Sequence, residues 1–343
     1  MGEYARSLSI ALGVRRQWSK AEIHFILSRQ APYAAATPFP ATLLDSSPTF
    51  HTAAVKACIQ KFKPHAVIFD NAGRTGQLHA AAQAGARIVF ISSRSRQRRK
   101  AFRWQWMRLL DEHWFAYPQV IAGGLTLVER WKLAALGRPA VRYLDVILSR
   151  DASRQDSVRV CSELPPEGYV LLVPGGGTGH PRAADATATF FSAAIALANT
   201  GTLTAFVGPT DSSTGATPGT PAAPPAALRR FKSLPQADLA ELMSGARLVI
   251  SNGGSTLLQA IACGRPCIAV PIANDQYRRI QRCVKAGVAL QAELNTAAIV
   301  RIAGAVLQDE AARAALARRA ADLGLADGVE VALHALASLL ATA

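Results

Sequence analysis

Residues 246–288, with the sequence ARLVISNGGSTLLQAIACGRPCIAVPIANDQYRRIQRCVKAGV, decide the fold of this chain. Their apolar runs and turn residues predict two repeats of a strand, a turn and a helix. The predicted elements are a strand over 247–251, the turn Asn252-Gly253-Gly254, a helix over 255–264, a strand over 266–272, the loop Asn274-Asp275-Gln276 and a further helix. This alternation is typical of a parallel sheet, in which turns at the carboxyl ends of strands bind ligands.

The first of these turns is suited to binding phosphate. Gly253 and Gly254 let the backbone approach a ligand closely, because glycine has no side chain. Ser255 and Thr256 add hydroxyl and N–H groups at a helix N-terminus, which favours an anion by about 0.3–2 kcal/mol. An alternative is that Ser255 only caps the helix and the two glycines only form the turn.

The same stretch resembles a known family. Asn-Gly-Gly-Ser-Thr, a helix, Gly-x-Pro, an apolar strand and Asp-Gln together resemble the nucleotide-sugar signature of GT-B glycosyltransferases. The segment is similar to the C-terminal domain of glycosyltransferase family 28, the family of the lipid-linked muramyl-peptide N-acetylglucosaminyltransferase. It is also similar to the UDP-sugar hydrolase of pseudaminic acid synthesis.

The resemblance implies a donor site in the C-terminal half. Its diphosphate contacts would come from Asn252, Gly253, Gly254, Ser255 and Thr256, its ribose contact from Gln259, and its sugar contacts from Asn274, Asp275 and Gln276. The family usually has Glu where this chain has Gln259. Gln can still donate and accept hydrogen bonds, but the substitution leaves the identity of the nucleotide open. The resemblance implies a UDP-linked sugar.

A second glycine-rich segment follows the apolar residues 168–173. A strand, a glycine loop and a helix are a weak signature of phosphate binding, and GT-B enzymes have such a loop at this place. The resemblance therefore adds Gly176, Gly177, Thr178 and Gly179 to the donor site. It also suggests that Phe231 and Leu234 lie over the base, with packing in the core as the alternative for Phe231.

Length and composition indicate two α/β domains. The chain has 343 residues, of which 50% are hydrophobic and 18% are charged. We expect an N-terminal acceptor-side Rossmann-like domain over 1–150, a polar linker over 151–167 and a C-terminal nucleotide-sugar-binding domain over 168–343, with a cleft between the domains. No apolar run is long enough for a membrane span, and five scattered cysteines fit the reducing cytoplasm.

The N-terminal half predicts the acceptor side of the site. Residues 3–14 predict a helix, and the first strand and most of the Gly-rich loop that precede it in the resembled families are missing, so we expect them upstream of Met1. The Pro-rich residues 34–44 predict a loop. Asp70, at the end of a predicted strand, is a candidate general base or a turn cap. Glu3 is the other candidate, near the position where the resembled hydrolase has its catalytic His.

Positive charge is concentrated in the first 150 residues, with 22 Lys and Arg against 8 Asp and Glu. The densest stretch is SRSRQRRKAFRWQWMR, residues 93–108. Its cations and aromatic residues fit an anionic membrane surface or a lipid-linked acceptor, a nucleic-acid strand, or a solvated helix. The residues assigned to the membrane or acceptor are Arg94, Arg96, Arg98, Arg99, Lys100, Arg103, Trp104 and Trp106. Nucleic acid is disfavoured because no nucleic-acid-binding module is recognised.

The resemblance implies glycosyl transfer from a nucleotide-diphosphate sugar to a cell-envelope or lipid-linked acceptor, by a cytoplasmic protein that associates peripherally with the membrane. No Asp-x-Asp pair is present to hold a metal, so no metal and no cofactor are expected. Two alternatives remain. The protein is instead a nucleotide-sugar hydrolase or 2-epimerase, or it is a non-catalytic subunit that binds a nucleotide sugar.

Overall fold

The computed structural model describes residues 2–147, 164–166, 168–175, 183–209 and 225–341. The chain divides into two compact units. Residues 1–147 and 326–343 form the first unit, and residues 148–325 form the second. The predicted linker, 151–167, lies outside the described residues except for 164–166.

The described elements alternate between strands and helices. Up to residue 147 they are α1 (Gly2–Gln17), β1 (Phe25–Ser28), β2 (Ala41–Leu44), α2 (Thr52–Phe62), β3 (Ala66–Asp70), α3 (Thr75–Gln83), β4 (Arg87–Ser92), α4 (Ser95–Ala101), α5 (Trp104–Met107), β5 (Glu112–Phe115), α6 (Gln119–Ala122), α7 (Leu127–Leu136) and β6 (Ala140–Tyr143). After it they are β7 (Val170–Val173), α8 (Ala183–Asn199), β8 (Thr204–Val207), β9 (Leu228–Phe231), α9 (Gln236–Gly245), β10 (Leu248–Asn252), α10 (Ser255–Ala262), β11 (Cys267–Val270), α11 (Asn274–Lys285), β12 (Leu290–Gln291), α12 (Thr296–Gln308), α13 (Glu310–Asp322) and α14 (Gly328–Ala341).

The first unit is built on a four-stranded parallel sheet in the order β3-β4-β5-β6. Successive side chains of β4 enter different hydrophobic clusters: Ile88 and Phe90 pack with Leu78 and Trp106, whereas Val89 and Ile91 pack with Trp114, Ile10 and other apolar side chains of the second cluster. Because side chains alternate between the faces of a strand, β4 is covered on both faces, as parallel sheets require.

One loop prediction in this unit is partly wrong. The end of the Pro-rich segment 34–44 forms strand β2, which pairs in parallel with β1 in a separate two-stranded sheet. Pro40 is compatible with this arrangement because it precedes the strand, and its carbonyl oxygen accepts a hydrogen bond from Phe25 N at 2.9 Å. The prolines of this segment favoured the prediction of a loop, so the four-residue strand that follows them was not predicted.

The last helix belongs to the first unit, whereas the sequence placed all residues after 168 in the second domain. Helix α14 packs against α1 so closely that a Cβ added at Gly13 would lie 2.6 Å from Val329 Cγ1. At the start of α14, Gly328 N donates a hydrogen bond to the carbonyl oxygen of Val146 at 2.8 Å. Its buried residues Ala332 and Leu336 complete one face of the sheet core.

The second unit contains a six-stranded parallel sheet in the order β12-β11-β10-β7-β8-β9. From β7 the chain proceeds through β8 and β9 toward one edge, and from β10 it proceeds through β11 and β12 toward the other. The strand order therefore reverses between β7 and β10. In open α/β sheets, ligands bind outside the carboxyl ends of the strands at such a point.

Candidate functional site

The loops that follow β7 and β10 are joined at the point where the strand order reverses. Asn252, which is buried, donates from Nδ2 to the carbonyl oxygen of Pro174 at 2.6 Å. Gly175 has φ +80°, and a Cβ added there would lie 2.3 Å from Asn252 Nδ2. Glycine is therefore required at 175 both by the backbone conformation and by the contact with Asn252.

The turn after β10 presents the N-terminus of α10. Asn252 Oδ1 accepts a hydrogen bond from Gly254 N at 2.8 Å, which fixes the turn. Gly254 is the residue that precedes the helix, so Ser255 lies inside its first turn and does not cap it. Ser255 is exposed and Thr256 is buried. The first-turn N–H groups of a helix have no partner within it, and they are the groups available to an anion.

Gly253 approaches α11 closely. A Cβ at this position would lie 2.7 Å from Ile280 Cδ1 and 2.9 Å from Gln276 Cβ. Gln276 Oε1 accepts hydrogen bonds from Gly253 N at 3.1 Å and Ile272 N at 3.2 Å, and Arg279 donates to the Gly253 carbonyl oxygen. The close approach that the glycine permits is therefore to the protein itself, and Gln276 joins the turns after β10 and β11.

The other residues predicted to bind the nucleotide sugar differ in their position and in their exposure. Gln259 follows on α10, and its Nε2 donates to Gln236 Oε1 at 3.2 Å. Phe231 ends β9, and both it and Leu234 are half-buried, whereas Asn274 is exposed at the start of α11. The residues Gly176, Gly177, Thr178 and Gly179 lie outside the described residues, as does the side chain of Asp275.

In the first unit, the two predicted catalytic carboxylates lie at the carboxyl end of β3, in different environments. Asp70 is paired with Arg6, which donates from Nε to Oδ2 at 3.0 Å and from Nη2 to Oδ1 at 2.5 Å. Ser7 Oγ adds a third bond to Asp70 Oδ2 at 3.1 Å. Burial raises the pKa of the Asp70 carboxyl, and the guanidinium of Arg6 opposes that rise.

Glu3 is exposed at the start of α1, and Asn71 binds it. Asn71 has φ 55°, a left-handed conformation that Asn adopts more readily than most residues. Its Nδ2 donates to Glu3 Oε1 at 2.8 Å and to Ser93 Oγ at 2.6 Å, and its Oδ1 accepts from Ser93 N at 2.8 Å. This network brings Glu3 to the ends of β3 and β4.

These contacts change the roles that the sequence suggested for the carboxylates. Arg6 and Ser7 of α1 donate hydrogen bonds to both carboxylate oxygens of Asp70. The Asp70 carboxylate is therefore neither free to act as a base nor bonded to the following turn as a cap. Glu3 is exposed, and its hydrogen bond from Asn71 holds it in a fixed position. The roles of Arg6, Ser7 and Arg279 were not predicted from the sequence. The only signal for Arg279 was its spacing of three residues from Gln276, which puts both on one side of a helix.

Metal ligands do not converge in the part of the chain that the structure describes: no group of three His, Cys, Asp or Glu side chains there could hold an ion. The hydrogen-bond donors at the turn after β10 are the first-turn N–H groups of α10, the Ser255 hydroxyl and the Arg279 guanidinium.

The basic stretch 93–108 is only partly exposed. Trp106 is buried, and Arg98 is held by Glu129. Lys100 donates to the Gly73 carbonyl oxygen at 2.6 Å, so all three side chains contact the protein itself. The residues of this stretch that remain exposed are Arg94, Arg96, Arg99, Arg103 and Trp104. None of the helices in the described ranges is long and apolar enough to cross a bilayer.

The family comparison matches a segment that lies mostly in the second unit. Residues 228–332 match the model of the glycosyltransferase family 28 C-terminal domain. This range includes β10, the turn after it, α10 and Gln276 in the first turn of α11. No curated protein sequence is significantly similar to this chain.

Solved structures agree on the fold over nearly the whole chain. Phytolacca americana UGT2, complexed with UDP-2-fluoro-glucose and pterostilbene, matches with a TM-score of 0.67 at 13% identity, covering 99% of this chain and 97% of that one. Acinetobacter baumannii MurG matches with a TM-score of 0.57 at 16% identity, covering 92% and 90%. A candidate UDP-N-acetylglucosamine 2-epimerase from Listeria monocytogenes matches with 0.52 at 14% identity, covering 94% and 98%. The chain therefore has the GT-B glycosyltransferase fold, and residues 228–332 are similar to the C-terminal domain of glycosyltransferase family 28.

Proposed function

We propose that the protein transfers a sugar from a UDP-linked donor to a cell-envelope or lipid-linked acceptor, at the cytoplasmic face of the membrane and without a metal. The observation that supports this most is the turn Asn252-Gly253-Gly254, fixed at the reversal of strand order and leading into the N-terminus of α10. UGT2, which shares the fold, was solved with a UDP-sugar analogue.

In this proposal the leaving diphosphate is stabilised by the second unit. Ser255 supplies an exposed hydroxyl, and the N–H groups of Ser255, Thr256 and Leu257 supply the partial positive charge of a helix N-terminus. Arg279 adds a full positive charge beside Gly253. These donors are fixed before the reaction, so they stabilise the charge that develops on the diphosphate without reorganising. Gln259, Asn274, Asp275 and Gln276 remain candidates for the ribose and sugar contacts.

We assign the role of general base toward the acceptor hydroxyl to Glu3, and we assign Asp70 the role of holding α1 against β3. Glu3→Gln should slow acceptor-dependent nucleotide release by about 10²–10⁴-fold and leave nucleotide affinity nearly unchanged. The matched control is Glu22→Gln, because Glu22 is also exposed in the first unit. If Glu3→Gln and Glu22→Gln are equally active, Glu3 is not the base.

The donor site is tested by binding. Ser255→Ala combined with Thr256→Ala should weaken the affinity for UDP by about 1–3 kcal/mol, because hydrogen bonds to a charged group are lost. Isothermal calorimetry with UDP, TDP and GDP measures the loss and shows which base is preferred. Ser244→Ala is the control, since that exposed hydroxyl bonds only the Ala240 carbonyl oxygen of its own helix. If the folded double variant binds UDP as tightly as the parent, the diphosphate does not bind at this turn.

Transfer is distinguished from the alternatives by turnover. A transferase must exclude water from the donor, so UDP-sugar alone should be consumed slowly, and a lipid-linked acceptor should accelerate UDP release. Nucleotide release and product mass are measured with and without acceptor. Rapid formation of free sugar without acceptor would show a hydrolase, and a sugar inverted at C2 would show an epimerase. Tight UDP-sugar binding with no turnover would show a binding subunit.

A further inference from the structure

The side-chain oxygen of Gln276 is used entirely by the backbone of the protein. Gln276 Oε1 accepts hydrogen bonds from Gly253 N at 3.1 Å and from Ile272 N at 3.2 Å. An amide oxygen has two lone pairs, and each of them is taken by one of these N–H groups. Gln276 therefore has no acceptor left for a sugar hydroxyl, and a sugar could be contacted only through Nε2.

The two N–H groups depend on this oxygen because their residues are buried. Gly253 and Ile272 are both shielded from solvent, and Gln276 is half-buried over them. A backbone N–H group that loses its acceptor in such a place must move to find another partner, since water does not reach it. The positions of the turn after β10 and of the chain entering α11 are therefore set together by one side chain.

Two further residues of α11 hold the same glycine. Arg279 donates to the Gly253 carbonyl oxygen, and a Cβ added at Gly253 would lie 2.7 Å from Ile280 Cδ1. Residues 276, 279 and 280 have the spacing that puts side chains on one face of a helix. This face of α11 therefore binds both polar backbone atoms of Gly253, the N–H through Gln276 and the carbonyl oxygen through Arg279.

The N–H groups of the turn are thus not available to a ligand. Gly253 N is bonded to Gln276, and Gly254 N donates to Asn252 Oδ1 at 2.8 Å. The donors that can face a diphosphate begin at Ser255, in the first turn of α10. Their direction depends on where the preceding glycines are held.

We propose that Gln276 is a positioning residue for the diphosphate of the donor, and that it does not select the donor sugar. By holding Gly253 against α11, it fixes the direction in which the first-turn N–H groups of α10 point. Donors fixed in this way stabilise negative charge without having to reorganise. The inference rests on the proposed UDP-sugar site and assigns Gln276 to the phosphate end of that site.

Calorimetry distinguishes positioning from a sugar contact. Gln276→Ala should weaken the binding of UDP and of UDP-N-acetylglucosamine by the same factor, about tenfold, because the diphosphate is common to both. Gln276→Glu should restore most of the UDP affinity, since a carboxylate oxygen accepts the same two hydrogen bonds. The matched control is Gln281→Ala, because Gln281 is exposed on the same helix and donates to Gln291 Oε1 at 2.6 Å instead. It should bind both nucleotides as the parent does.

Amide hydrogen exchange tests the same contact without a nucleotide. In peptides that contain Gly253 and Ile272, exchange should be about tenfold faster in Gln276→Ala than in the parent. Gln276→Glu and Gln281→Ala should exchange at the parental rate. Thermal unfolding confirms that each variant is folded, and Gln276→Met, which keeps the length of the side chain but lacks the amide oxygen, replaces Gln276→Ala if that variant does not fold.

Two results would overturn the proposal. One is a variant that binds UDP as tightly as the parent but binds UDP-N-acetylglucosamine more weakly, which would make Gln276 a sugar contact. The other is equal exchange in Gln276→Ala and the parent, which would show that Gln276 does not hold the turn. A parent that binds neither nucleotide would instead contradict the proposed donor site, and the exchange rates would still decide whether Gln276 positions the turn.

Discussion

Replacing Arg6 with alanine is expected to lower the free energy of unfolding by about 3–5 kcal/mol, because it leaves a buried carboxylate without its ion pair. The side chains of Arg6 and Asp70 are only 8% and 10% exposed, and two hydrogen bonds join them. Burial already raises the pKa of Asp70, and loss of Arg6 raises it further. The destabilisation should therefore be greatest at neutral pH and shrink as the pH falls and Asp70 takes up a proton.

Urea unfolding at several pH values measures the change in the free energy of unfolding. Two further variants show what causes that change. Arg29→Ala removes an ion pair with Asp45 whose side chains are 67% and 86% exposed, so it should change stability by less than about 1 kcal/mol. Arg6→Ala with Asp70→Ala should be less harmful than Arg6→Ala alone, since no buried charge is stranded. If Asp70→Asn instead keeps full stability and abolishes turnover, Asp70 is the base and its pairing is secondary.

Substituting Gly253 by alanine is expected to weaken UDP binding by about 10–100-fold. The new methyl group would lie within 3 Å of both Ile280 and Gln276, so the turn must move away from α11. That movement displaces the first-turn N–H groups of α10, and the loss of one hydrogen bond to a charged group costs about 1.5–3 kcal/mol, or about 10–100-fold in affinity. Calorimetric titration with UDP measures the change.

Gly304→Ala is the matched control, because a Cβ at this position of α12 meets nothing within 4 Å. It should leave UDP affinity unchanged and raise stability by about 0.5–1 kcal/mol, since alanine favours a helix more than glycine does. Equal UDP affinity of Gly253→Ala and the parent would show that the turn does not position the ligand.

The segment from β10 to α11 could be predicted within one to three residues at each boundary. Its apolar runs are bounded by Gly264 and the Asn-Gly-Gly turn, so local chemistry marks each element. The GT-B fold expected from this stretch is confirmed by solved structures that cover nearly the whole chain.

The local sequence did not show whether a given side chain faces the core or the solvent. In 93–108 the indole of Trp106 is buried and that of Trp104 is exposed, although both stand in the same mixture of cations and aromatic residues. Leu127 and Val128 are apolar, as core residues usually are, but both are exposed. The side of a short helix is chosen by its neighbours in the fold, which the periodicity of a few residues does not reveal.

Local structure around the candidate site was predictable where it depends on neighbouring residues, and contacts between distant residues were not predicted. The turn at 252–254 follows from adjacent residues, whereas the partner of Asp70 is Arg6, which is 64 positions away. Asp70 at a strand end therefore suggested a base, because the sequence showed its carboxylate but not the guanidinium that binds it. The donor contacts of Gln259 and Asn274 stay predictions.

Helix α14 has a consequence for synthesis of the protein on the ribosome. The first unit needs this helix to cover Ile10 and Leu144, yet about 180 residues of the second unit are translated before it. In an emerging chain the apolar cluster of Ile10 and Leu144 therefore lacks Ala332, Ala335 and Leu336 for the whole time in which the second unit is being made. Folding of the first unit is then completed after translation of its own strands, and chaperones have a defined nascent surface to protect.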